Sequence, residues 1–197
     1  VGCRIPGNKL AKKLITLLDL PIAAPSANLS ERTSVTNIMD IDPILVKKIF
    51  IIKDKQSSHG LESTVVRIDT NNEIEVLRYG SITVEELNKY AKVKIKKKSS
   101  ISPGNLKKHY STLKPIRMNA KRILKNEGLL NFGNNKLKSK IINLNLSNKK
   151  NLNEAAKNFY HYLHKLDQSR CKKIAVVEIP DKGLGKTIND RLRRAIK

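Results

Sequence analysis

The sequence predicts an α/β chain, and three observations carry that reading. Apolar residues recur at helical spacing in several stretches, β-branched runs bounded by turn formers lie between them, and beyond Pro115 the two patterns alternate. With 39% hydrophobic content, 197 residues can hold one large or two small packed domains. The apolar runs are short and broken by Lys or Asp, well under the roughly 20 residues a membrane-spanning helix needs.

Taken in order, the first element is a helix from Asn8 to Leu20. Leu10, Leu14, Leu17 and Leu18 form its apolar stripe, Asn8 is placed to cap it and Pro21 to end it. Ile22-Ala23-Ala24 then reads as a short strand entering the turn Pro25-Ser26-Ala27-Asn28, and Val46 to Ile52 as a core strand for its β-branched and aromatic content. Ser63 to Ile68 and Glu73 to Arg78 flank Thr70-Asn71-Asn72, which is hairpin chemistry. Thr83 with Glu86 makes a capping box for a helix reaching Tyr90. The Lys-rich run 92 to 98 reads as a solvated face, and Ser99 to Gly104 is too rich in turn formers to continue a regular element.

The second half alternates. Strands are predicted at Leu129 to Phe132, Ile141 to Leu146 and Lys173 to Ile179, and helices at Leu152 to Leu166 and Thr187 to Ile196. Asn151 followed by Glu154 signals the start of the longer helix, whose stripe is Leu152, Ala155, Phe159, Leu163 and Leu166. His161 and His164 fall on its polar side and read as solvated. Gly183-Leu184-Gly185-Lys186-Thr187 lacks the full spacing of a phosphate loop and reads as a turn. The expected organisation is a strand-rich domain over 1–98, a linker over 99–114 and a small parallel-sheet domain over 115–197.

The net charge of +23, from 40 Lys+Arg against 17 Asp+Glu, would draw polyanions such as RNA or nucleotides, although Lys, Asn and Ile abundance with no Trp also fits plain compositional bias. Cys3 and Cys171 are far apart and lack metal-ligand spacing, so neither a disulfide framework nor a zinc site is expected, and a reducing, cytoplasmic compartment fits. The opening Val1-Gly2-Cys3-Arg4-Ile5-Pro6 has neither an initiator Met nor a signal pattern, and is expected to be the interior of a longer protein.

Chemistry-bearing residues cluster where strands give way to loops. Arg4 precedes a proline and could grip a carboxylate bidentately, or stand solvated at a strand end. Ser26 and Asn28 offer hydrogen bonds to a ligand or to their own turn. Ser63 and Thr64 follow His59-Gly60-Leu61-Glu62 at a strand entrance, and Arg78 lies two residues before Gly80, where a ligand can approach the backbone.

In order and spacing these elements resemble the threonylcarbamoyl-AMP synthases, whose pattern runs R-x-P, P-S-A-N-x-S, E-S-T-V, R-x-G and S-P-G-x-x-x-x-H-Y. Here they are Arg4-Ile5-Pro6, Pro25-Ser26-Ala27-Asn28-Leu29-Ser30, Glu62-Ser63-Thr64-Val65, Arg78-Tyr79-Gly80, and Ser102-Pro103-Gly104 with His109-Tyr110. Gly183-Leu184-Gly185 and Ile188-Asn189-Asp190-Arg191-Leu192-Arg193-Arg194-Ala195 are similar to the ending of the two-domain members. The resemblance implies a YrdC-like α/β catalytic domain followed by a small Rossmann-like one. It implies a nucleotidyltransferase that makes L-threonylcarbamoyladenylate and pyrophosphate from L-threonine, bicarbonate and ATP with Mg²⁺, for modification of adenosine 37 in tRNA. tRNA itself is an indirect partner, and no membrane is involved.

By motif position, Arg4 and Ser63 would hold L-threonine. Ser26, Asn28, Ser34, Thr64 and Arg78 would line the ATP side, and His109 and Tyr110 would belong to a lid. No side chain is assigned a covalent, acid–base or metal-ligating role. Glu31 stands where the family usually has Gly, Ala24 where some members have Thr, Asn105-Leu106-Lys107 in place of the lid's usual Met and Tyr, and Ser111-Thr112 in place of Ala-Pro. The family's opening segment, with its K-x-R pair and S-x-T-x-Y-G loop, is not among these residues, so the chain alone is expected to be inactive. The rival readings are a basic RNA-binding module without catalysis and a degenerate gene remnant.

Overall fold

The structure is a computed structural model that describes residues 2–54, 57–95 and 110–196. Its two sheets are fully separate in strand order, and each follows from local sequence chemistry.

In the first region, helix α1 (Lys9–Leu18) is capped by the Asn8 side chain, which accepts from the Ala11 N–H, and it ends where Asp19 turns left-handed at φ 50°. A single 3₁₀ turn (Ile38–Asp40) precedes α2 (Pro43–Val46), which Asp42 caps with Pro43 in its first turn. Strands β1 (Val65–Ile68) and β2 (Ile74–Arg78) form the expected antiparallel hairpin. Its turn is built by Asp69, whose carboxylate accepts from the N–H groups of Asn71 and Glu73 at 3.0 and 2.9 Å, with Asn72 left-handed at φ 56°. The capping box of Thr83 and Glu86 starts α3 (Val84–Leu87), a single turn that stops short of Tyr90. Strand β3 (Val93–Ile95), drawn from the Lys-rich run, pairs parallel to β2, and its Lys94 ion-pairs with Glu73.

Two expected strands are absent. Residues 22–24 are exposed and irregular, and the 46–52 segment gives Val46 to α2 and leaves Phe50 92% exposed. Asp42 and Pro43 favour a helical turn at that point, and no described strand lies beside either segment to complete a hydrogen-bonded ladder.

The second region is a parallel sheet in the order β4 (Ile116–Arg117), β7 (Lys173–Val176), β5 (Glu127–Asn131), β6 (Asn143–Asn145). Strand β5 is buried at every position, as a central parallel strand must be. Against it packs α4 (Leu152–Gln168), capped by Asn151, through Ala155, Phe159, Leu163 and Leu166. Gly128 permits the close approach, since a Cβ there would lie 2.8 Å from the Leu166 side chain. Helix α5 (Leu184–Ala195) packs on α4 and begins at Gly183, left-handed at φ 49°. The expected Gly turn is therefore the start of this helix, three residues earlier than the periodicity placed it. Among the described residues, no helix is long and apolar enough to cross a membrane.

Candidate functional site

The centre of the site is Glu62, the first residue of the E-S-T-V stretch. One carboxylate oxygen accepts from Ser34 Oγ and from Tyr160 Oη at 2.6 Å, and the other accepts from Arg191 Nε at 2.9 Å. The segment carrying Glu62 can seat here because Gly60 turns left-handed at φ 67° directly against α4, where a Cβ would meet the Ala156 carbonyl at 2.2 Å. Burial by itself would raise the Glu62 carboxyl, but the Arg191 guanidinium beside it, with the hydroxyl donors, holds it below the ordinary value of 4.5. Burial raises the phenols of Tyr160 and Tyr110, and the Glu62 carboxylate beside them adds to it.

Around this hub the E-S-T-V and R-x-G loops are locked together. Arg78 Nη2 donates to the Ser63 carbonyl at 2.9 Å and reaches Ser63 Oγ at 3.4 Å. The Ser81 N–H donates to the Glu62 carbonyl at 2.8 Å, and Thr64 Oγ1 both donates to the Ile82 carbonyl (2.6 Å) and accepts from its N–H (3.0 Å). Gly80 lies so close to the neighbouring loop that a Cβ would sit 2.2 Å from the Thr64 nitrogen, so no other residue fits there unchanged. Thr187 of α5 donates to the Gly80 carbonyl at 3.0 Å.

Tyr110, expected from the resemblance to belong to a lid, is 2% exposed, left-handed at φ 65°, and lies over the Arg191 guanidinium at 4.6 Å from its ring centre. Next to it the Ser111 N–H donates to the Glu31 carbonyl, which ties Ser111 to the loop after P-S-A-N-L-S. Glu31 itself adopts φ 65°, which accounts for the family's Gly at that position: the backbone is left-handed there. His109 and Ser102-Pro103-Gly104 lie outside the described residues.

The structure thus brings together Ser34, Ser63, Thr64, Arg78 and Tyr110. Asn28 stands on the neighbouring loop, where its Nδ2 donates to the Leu29 and Arg32 carbonyls and its Oδ1 is buried with no hydrogen-bond partner among the described residues. It lines a cavity of about 250 Å³ with Arg32, Asp40, His164 and Asp167. Arg4 and Ser26 are exposed, and among the described residues no hydrogen bond or ion pair joins them to the cluster. His161 and His164 correct the expectation of solvated side chains. His161 Nδ1 lies 2.9 Å from Asp40 Oδ2, and His164 Nε2 is 3.2 Å from Thr33 Oγ1 and from the Ser34 carbonyl, so both join α4 to the first region.

Reasoning from motifs alone assigns no part to Tyr160 or Arg191. The available signal was their position: both lie on apolar helix faces, Tyr160 beside Phe159 and Arg191 between Ile188 and Leu192, where a polar group demands a buried partner. As for a metal, the described residues contain no group of three His, Cys, Asp or Glu that could hold one, and the carboxylate at the centre is taken up by three donors.

Residues 82–196 match the family model of the threonylcarbamoyl-AMP synthase C-terminal domain, and residues 1–80 match a model described as telomere recombination. The threonylcarbamoyl-AMP synthase of Pyrococcus abyssi is 27% identical over 99% of this chain, and that of Bacillus subtilis is 28% identical over the same share. The chain spans 63% and 62% of those relatives' length. A crystal structure of P. abyssi Sua5 complexed with L-threonine superposes with a TM-score of 0.80 at 25% identity, over 98% of this chain and 62% of that one. With more than half of its length matched by the synthase's C-terminal model, the chain belongs to the threonylcarbamoyl-AMP synthase family.

Proposed function

We propose that this chain forms the threonine-facing part and the accessory domain of a cytoplasmic enzyme that makes L-threonylcarbamoyladenylate and pyrophosphate from L-threonine, bicarbonate and ATP. The product would supply the threonylcarbamoyl group for adenosine 37 of tRNA. The observation that carries the reading is the pairing of Arg78 with Ser63. The resemblance assigns Arg78 to ATP and Ser63 to L-threonine, and with the two side chains 3.4 Å apart the substrates would, in this reading, share one wall.

Holding two reactants in register is worth several kcal/mol of the barrier, roughly 7–11 at the upper limit, without any covalent step. In this reading Arg4 holds the threonine carboxylate and Ser63 its polar groups. Ser26, Asn28, Ser34, Thr64 and Arg78 face the nucleotide, and Asn28 Oδ1, as an acceptor, suits an amino or hydroxyl donor rather than phosphate. By the family resemblance, Tyr110 would help keep water from a labile product. Mg²⁺ would enter with the triphosphate as part of the substrate. The chain alone would not complete the reaction.

The test is pyrophosphate release from ATP by this chain, alone and joined to a family opening segment that carries K-x-R and S-x-T-x-Y-G. Release from the joined protein only when L-threonine and bicarbonate are both present is expected, with none from the chain alone. Release that ignores L-threonine would overturn the assignment.

A further inference from the structure

The I-N-D-R-L-R-R-A stretch of α5 has no part in the reaction as described, yet its Arg191 contacts Glu62 of the E-S-T-V loop, the Tyr79 carbonyl of the R-x-G loop and the Tyr110 ring. Its side chain is 0% exposed. Nε donates to Glu62, Nη2 donates to the Tyr79 carbonyl at 2.6 Å, Nη1 pairs with Asp190, and the guanidinium face carries the Tyr110 ring. Glu62 immediately precedes Ser63, and Tyr79 immediately follows Arg78. We propose that Arg191 is a positioning residue. From the accessory region it fixes the two loops that present Ser63 and Arg78, and its guanidinium face holds the Tyr110 ring beside them.

Two physical points separate this from ordinary packing. A cation withdrawn fully from water costs free energy that an apolar side chain of the same volume would not, so stability alone does not call for an arginine here. The planar guanidinium can serve three acceptors in different directions and still offer a flat face to an aromatic ring, whereas a lysine ammonium offers one point and no face. Arg117 provides an internal contrast. It also pairs with a buried glutamate, Glu127, at 2.6 Å, but it joins β4 to β5 within the parallel sheet and touches none of the candidate site. The roles of the loops rest on the function proposed above; the bracing does not.

The experiment uses the 197-residue chain with Arg191→Lys, Arg191→Met and the control Arg117→Lys. Hydrogen exchange is read at the Ser81 amide, which donates to the Glu62 carbonyl, and at the Leu129 amide, which donates to the Ile142 carbonyl inside the parallel sheet. L-threonine affinity is read by calorimetry. Both Arg191 variants should speed Ser81 exchange at least tenfold relative to Leu129 and weaken L-threonine at least tenfold, while Arg117→Lys leaves the Ser81-to-Leu129 ratio and the affinity within twofold. If the Arg191 variants lack a cooperative unfolding transition, Glu62→Gln decides by the same two readouts. Ser81 protection within twofold of the parent overturns the proposal, even if affinity falls. Faster Ser81 exchange in the Arg191 variants, with a parent chain that binds no L-threonine, supports the bracing and defeats the functional reading.

Discussion

Residues 2–95 and 110–196 are built from similar apolar residues but bury them very differently. In the second region Leu130, Leu146, Phe159, Ile174 and Ile188 are 0% exposed, whereas in the first Phe50 is 92%, Met39 80% and Leu17 74% exposed. Helix α1 buries none of its residues despite a clear apolar stripe. The difference lies in the partners: four parallel strands and two helices close on one another around one buried apolar cluster, while among the described residues of the first region few large apolar side chains are buried, Leu61, Ile74 and Val76 among them. Where the two regions meet, the contact is largely polar, through Glu62, Arg191, Tyr160, His161 and His164. Apolar burial therefore supplies the stability of one region, and directional hydrogen bonds set the geometry at which the other is held.

That contrast can be broken at its strongest point first. Phe159→Ala empties the packed side of α4 and should cost about 3–5 kcal/mol in urea unfolding. A loss under 1 kcal/mol would mean that the core does not dominate.

The polar junction comes next. Glu62→Gln leaves the buried Arg191 short of its main carboxylate and should cost about 1.5–3 kcal/mol. Its sign with pH is fixed, because the folded-state pKa of Glu62 is lowered. The stabilisation it gives is complete above the ordinary value of 4.5 and is lost as pH falls through the lower folded value. Stability measured from pH 7 down through the acid range should therefore decline more steeply in the parent than in Glu62→Gln, and parallel curves would remove Glu62 from the junction.

Glu31→Gly should sharpen the comparison by a smaller amount. A left-handed residue with a Cβ costs about 1–2 kcal/mol, of which glycine's unfolded-state entropy returns roughly 0.5–1, so the net gain in thermal unfolding should be under about 1 kcal/mol. Destabilisation would show that the Glu31 side chain is needed. The smallest effect belongs to Phe50→Ser, within about 0.5 kcal/mol in this chain, because the ring already stands in water. A loss near that of Phe159→Ala would contradict its exposure.

Local chemistry was legible where it was self-sufficient. Asn8 and Asn151 cap the helices they were expected to cap, Thr83 and Glu86 form their box, and the Asp69 turn joins the expected hairpin. The Ile22 and Phe50 segments misled because β-branched and aromatic content measures fitness for a sheet surface, and a strand exists only when a neighbour completes its ladder. At the site, the loops bearing Ser63, Thr64 and Arg78 could be found from their glycines and hydroxyls. Glu62 meeting Arg191 could not, since 129 residues separate the partners.

From sequence alone came the α/β class, the helix starts, the hairpin, the family and the loops that carry its motifs, all matters of spacing within short stretches of chain. Tertiary structure alone decided that α5 reaches back beneath those loops, that both histidines of α4 face inward, and that one apolar stripe is buried while another is not. The reason is physical: a side chain's energy depends on what surrounds it, and its surroundings come from residues far along the chain.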